Sequence, residues 1–84
     1  MRIISQKGMP VITDIPYEKV AVSQSMTEPN KIVAWDVAAG ENNIIFMAQY
    51  STQDKAEKAM QMLHNCYQGA LPNTIFRFPR EDEI

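Results

Sequence analysis

Apolar and polar residues alternate with a period of two over most of the chain and change to a helical period once. "MRIISQKG" opens on a β-branched pair and ends on Lys7-Gly8, a strand running into a turn. "VITDIPYE" alternates poorly and contains Pro16, which has no N–H for a ladder. It therefore reads as an edge strand, a bulge or a strand end. "EKVAVSQ" is a short strand with Val20 and Val22 on one face. "SMTEPN" is loop, because Pro29-Asn30 cannot continue a ladder. "KIVAWDVAA" is the clearest strand: Val33, Trp35 and Val37 point one way, and Ile32, Ala34 and Asp36 the other. The tryptophan face is expected to be buried. After a turn at "GENN", "NIIFMAQY" sets Ile44, Phe46, Ala48 and Tyr50 against Ile45, Met47 and Gln49. The short Gly/Asn loop predicts an antiparallel hairpin.

The period then changes. "STQDKAEKAMQMLHNCYQ", residues 51–68, places Ala56, Ala59, Met60, Leu63, Cys66, Tyr67 and Ala70 at i, i+3, i+4, i+7 spacing. Ser51 followed by Asp54 resembles a capping box, and Asp54 also suits the positive end of the helix dipole. Asp54 and Lys58 form a helpful i,i+4 pair. Gly69 is expected to stop the helix as a left-handed cap, with Pro72 shortly after. "NTIFRFP" returns to a strand with Phe76 and Phe78 on one face, and the charged tail 80–84, "REDEI" with its leading Arg80, is expected to fray.

The order is β-β-β-β-α-β. A lone helix must bury its stripe against a sheet. The predicted fold class is therefore α+β: two layers, with a curved, mainly antiparallel sheet of about five to six strands and one helix packed on a face. The 84 residues make one domain, 1–84. A chain this short buries only about 60–65% of its unfolded surface, so its stability margin is thin and a homodimer would be a natural supplement.

Charge narrows the function. The net charge is −2, and Arg2, Lys7, Lys19, Lys31, Lys55, Lys58, Arg77 and Arg80 are spread along the chain without a basic run. The footprint of a nucleic-acid binder is missing. "MRIISQKG" reads as neither a signal nor a transit peptide. No apolar run approaches the roughly 20 residues of a membrane span. The expected setting is cytoplasmic, with Cys66, the single cysteine, kept reduced.

Candidate chemistry centres on "MLHNC", which holds the only histidine and the only cysteine. Successive helical residues rotate by about 100°, so with Leu63 at the stripe's centre Cys66 lies about 60° to one side and His64 about 100° to the other. One metal ion cannot take both. The zinc spacings, i,i+4 histidines or C-x-x-C pairs, are absent from the sequence. Cys66 reads as a small core residue, and His64 as a boundary residue beside Met60 and Tyr67.

"DIPYE" gathers Asp14, Tyr17 and Glu18, which could serve as acid–base groups but suit a proline-centred turn better. The carboxylates of "REDEI" lack calcium-loop spacing. Phe76-Arg77-Phe78 superficially resembles an aromatic–basic nucleic-acid strand, yet in an acidic chain the phenylalanines suit packing. There is no P-loop, G-x-G-x-x-G or G-x-S-x-G. No catalytic, cofactor-binding or metal residue is assigned. Six methionines, among them Met26 in a loop and Met62 near the stripe edge, could furnish an adaptable contact surface.

"MRIISQ", "DIPYE", "YSTQDKAEKAM" with the following Leu63 and Tyr67, and "FRFPREDEI" resemble a family of short uncharacterised proteins of prophages and mobile elements in Gram-positive, largely anaerobic bacteria. Residues 23 to 43 carry none of the likeness. In that family an Asp usually precedes the first Gly, where this chain has Lys7, and the stretch from Gly8 to Asp14 is longer here. The resemblance implies a phage-related cytoplasmic setting and no known activity or cofactor. The reading that follows is a non-enzymatic interaction protein acting through its surface or as a homodimer, with an unidentified protein partner. The alternative is an acidic inhibitor or decoy of a host protein, such as one that handles nucleic acid.

Overall fold

The computed structural model describes residues 1–38 and 43–84. The turn assigned to "GENN" falls mainly on residues 40–42, outside the described residues. In chain order the elements are β1 (Arg2–Ile4), β2 (Asp14–Pro16), a 3-10 turn (Tyr17–Lys19), β3 (Val20–Gln24), β4 (Lys31–Asp36), β5 (Ile45–Gln49), α1 (Gln53–Gln68), β6 (Ile75–Arg77) and a second 3-10 turn (Glu81–Glu83).

The fold is α+β, with one helix and six strands among the described residues. The strands form two three-stranded sheets, β2-β1-β6 and β3-β4-β5, rather than one continuous sheet. In the first, β1 runs antiparallel to β2, with Ile3 opposite Ile15, and parallel to β6, with Ile3 opposite Phe76. That parallel pairing follows from α1, which lies between the sheets in sequence: a helical crossover can bring the returning strand in beside β1 in the same direction. Pro16 ends the edge strand β2, where its missing N–H breaks no ladder. The second sheet is antiparallel throughout, including the expected β4–β5 hairpin.

One core serves both sheets: Ile3, Phe76 and Phe78 join Ile32, Ala34, Met47, Ala48, Ala56, Ala59 and Leu63. The tryptophan face of β4 is not the core face. Ile32 and Ala34 are fully buried in the core, whereas on the other face Val33 is buried, Trp35 is partly exposed and Val37 is 67% exposed. The reason is volume. α1 packs on β3 and β4 through Ala56, Ala59 and Leu63, and a close-packed helix–sheet contact with two alanines has no room for an indole ring. Asp36, assigned to the same face as Ile32, sits at the strand end and accepts a hydrogen bond from the Ala38 N–H at 2.8 Å.

A β-bulge overturns the assignment in β5. Ile32 pairs with Ala48, but Val33 pairs with Phe46, which leaves Met47 as the extra residue. Met47 and Ala48 are both buried, and the alternation inverts across them. Ile44 and Phe46 therefore face outward while Ala48 and Tyr50 face the core.

The helix begins one residue later than its sequence signal. Thr52, not Ser51, is the N-cap, and its hydroxyl accepts from the Lys55 N–H at 3.2 Å. Ser51 instead donates its backbone N–H to the Glu81 carboxylate. Gly69 ends the helix at φ −105°, ψ 12°, outside the left-handed region. A turn with the Ala70 N–H on the Tyr67 carbonyl closes the end without positive φ. Among the described residues the left-handed glycine is Gly8, at φ 98°, in the loop after β1. The charged tail, expected to fray, forms the second 3-10 turn, with Arg80 within 3.5 Å of Asp82 and Glu83 and with Ile84 packed against the core.

Candidate functional site

The residue types singled out for chemistry do not converge. Leu63 is fully buried at the centre of the helical stripe, Cys66 is partly buried beside it, and His64 is exposed. The Cys66 thiol donates a weak hydrogen bond to the Met1 Sδ at 3.9 Å, just ahead of β1. Among the described residues no three His, Cys, Asp or Glu side chains gather as a metal site would require.

Asp14, Tyr17 and Glu18 each turn to a different neighbour. Asp14 pairs with Arg2 at 2.6 Å, and Glu18 accepts from the Met1 amino group at 2.9 Å. Tyr17 packs edge-on against Tyr67, with ring centroids 4.8 Å apart. Burial first, then Tyr67 and Glu18 nearby, push the Tyr17 phenol above its ordinary range. Phe76 and Phe78 pack edge to face at 5.2 Å in the core, so neither offers a stacking platform for a base. Met62 is partly exposed on the helix, and Met26 protrudes at 99% exposure.

What the fold does assemble is an apolar face. α1 covers one side of the β3-β4-β5 sheet, and the other side carries the outward residues of β4 and β5. Two hollows adjoin there. The larger, about 520 Å³, lies between the loop after β1 and strand β5, lined by Met9, Pro10, Val11, Ile44 and Phe46. The smaller, about 210 Å³, lies over β3 and β4, lined by Met26, Val33, Trp35 and Ile44 on one part and by the uncharged polar Ser23, Gln24, Ser25 and Thr27 on the other. Ile44 borders both, which makes the surface continuous. No charged side chain among the described residues lines either hollow. Val11 is 69% exposed, Phe46 52% and Ile44 51%. Charges lie at the margins of this surface: the Lys31 Nζ sits 5.7 Å from the Phe46 ring centroid and pairs with Glu28, and Lys19 and Asp36 line a further hollow that Ile44 also borders.

Each contributor has a local cause. The bulge turns Phe46 outward, and the exclusion of Trp35 from the helix interface leaves its ring on this side. The sequence did carry a signal for the surface: "KIVAW" and "NIIFMA" are apolar at both parities. A strand apolar on both faces, in a chain with one helix to cover it, leaves an apolar face open.

Comparison with known proteins adds no relationship: no family model, no curated protein and no solved structure matches the chain.

Proposed function

We propose that this chain is a non-enzymatic interaction or accessory protein of a phage or mobile element, acting in the cytoplasm. It works through the open face of the β3-β4-β5 sheet. In this arrangement the helix forms one layer and the curved pair of sheets the other, which leaves the outer sheet face as the working surface. The observation that carries the reading is that uncharged apolar face around Ile44 and Phe46. Contiguous exposed apolar surface beyond a few hundred Å² marks interaction sites in soluble proteins. The scattered placement of His64, Cys66, Asp14, Tyr17 and Glu18 supports a non-catalytic role, because catalysis needs polar groups converging on one hollow.

The second reading, an acidic inhibitor or decoy of a host protein, requires carboxylates gathered on one face. Of the ten acidic residues, Asp14, Glu18, Glu28, Asp82 and Glu83 lie in ion pairs. That leaves less free negative charge for a basic partner, and it favours the apolar reading.

Crosslinking in the host followed by mass spectrometry separates the two. The wild-type chain should crosslink through residues 9–13 and 43–49, and Phe46→Glu should abolish those products. Loss of crosslinking on Asp54→Lys with Glu57→Lys, but not on Phe46→Glu, would establish the acidic reading instead.

A further inference from the structure

We infer that the outer face of the β3-β4-β5 sheet is covered by a second copy of this chain. The inference rests on the reading above and names the partner. Two observations point to self-association rather than to a charged partner.

The first is area. Val11, Met26, Ile44 and Phe46 are all at least half exposed, and Trp35 is partly so. A whole aromatic side chain presents roughly 150–250 Å² and an aliphatic one somewhat less; scaled by these exposures, the five together show on the order of 500–600 Å². An ordinary interface takes about 800 Å² from each partner, of which about 57–65% is apolar, or on the order of 500 Å². The face therefore supplies the apolar share of a stable dimer from one side, and a two-fold axis supplies it again from the other.

The second is charge. Each copy carries a net charge of −2, so two copies repel wherever their charged surfaces meet. Among the described residues no charged side chain lines either hollow, so two copies can bring these apolar residues together without burying a like charge in them. The helix offers no such face, because Asp54, Glu57 and Lys58 are exposed along it. Val11, Ile44 and Phe46 all line the larger hollow, so a two-fold contact would set these residues against their own counterparts.

Trp35 is the only tryptophan and lies on the face in question, so it reports on burial there. The test is sedimentation velocity of the full chain alongside Trp35 emission over a dilution series from nanomolar to tens of micromolar. The expected result is a monomer–dimer equilibrium whose midpoint coincides with a blue shift of the emission. Phe46→Glu should weaken the dimer by at least about tenfold, as central aromatic contacts do. Val11→Lys, in a loop outside the sheet, should weaken it in the same direction and covers the case in which Phe46→Glu unfolds. Glu57→Lys on the helix should leave it unchanged.

A strict monomer overturns the inference. So does a dimer whose formation leaves Trp35 emission unmoved or that resists both face variants. If the wild-type chain is monomeric yet still crosslinks through residues 43–49 to another protein, the second copy is wrong while the interaction reading stands. If it is monomeric and crosslinks to nothing, both fail.

Discussion

Gln6 and Tyr50 share one acceptor: the Gln6 Nε2 donates to the Pro79 carbonyl at 3.0 Å, and the Tyr50 hydroxyl donates to the same oxygen at 2.7 Å. Gln6 does more. Its backbone N–H donates to the Met47 carbonyl at 2.7 Å, and its Oε1 accepts from the Gln49 N–H at 3.0 Å. One buried amide thus joins β1's sheet to β5 and ties both to the chain after β6. The two sheets share no ladder, so these bonds fix their relative placement together with the common core.

That shared acceptor makes a prediction about coupling. Tyr50→Phe leaves the Pro79 carbonyl bonded to Gln6 and should cost about 0.5–1.5 kcal/mol. Gln6→Ala also strips the partner of the Gln49 N–H and should cost about 1–3 kcal/mol. The double variant leaves a buried carbonyl with neither donor, so its loss should exceed the sum of the singles by about 0.5 kcal/mol or more. Urea unfolding of the four proteins measures this. Strict additivity would show that water replaces the missing donor.

Leu63 and His64 are neighbours in sequence with opposite environments, one fully buried and the other exposed. Leu63→Ala opens a cavity between α1 and the sheet and should destabilise by about 2–5 kcal/mol. His64→Ala should change stability by less than about 1 kcal/mol. Thermal melts that reversed the order would contradict the face of α1 described here.

Thr52 caps α1, and Ser51 does not. Thr52→Ala removes the acceptor of the Lys55 N–H and should cost about 0.5–2 kcal/mol. Ser51→Ala keeps the backbone N–H that bonds Glu81, and it should stay within about 0.5 kcal/mol of wild type. The bonds from Ser51 hold the Glu81 carboxyl below its usual range. Equal effects at the two positions in chemical denaturation would return the cap to Ser51.

Two tyrosines make the fold sensitive to alkali. Burial, and then the nearby Glu83 and Glu81, raise the Tyr50 phenol well above the ordinary tyrosine range; Tyr17 moves the same way. In the unfolded chain a tyrosine loses its proton near pH 10, whereas the folded chain still holds it. Above about pH 10 the unfolded state binds fewer protons, so stability falls as pH rises towards the folded values, and it is unaffected at neutral pH. Tyr50→Phe should flatten most of that decline. Denaturant midpoints measured between neutral pH and the alkaline window test it; an unchanged slope in Tyr50→Phe would assign the decline elsewhere.

Much of the architecture was legible in the residues. The period of 3.6 through Ala56, Ala59 and Leu63 located the helix and its buried line, because that period comes from the backbone of one element alone. The alternating segments located the strands, and Pro16 marked an edge for a reason internal to its ring. The hollow around Ile44 and Phe46 was not legible as a site. Its residues lie in the loop after β1, in β4 and in β5, and the fold alone brings them together.

What the sequence determined by itself was where α1 runs, where the chain is extended, and the buried line of Ala56, Ala59 and Leu63; Tyr67, read onto that line, is 46% exposed. Only the tertiary structure decided which face of β4 is covered, where β5 bulges, and that six strands form two sheets. A strand with apolar residues at both parities, such as Ile32 to Trp35, has no local preference between its faces. The choice fell to the partner: two small alanines on α1 admit Ile32 and Ala34 at close range and exclude the Trp35 ring. That exclusion places the tryptophan on the open face.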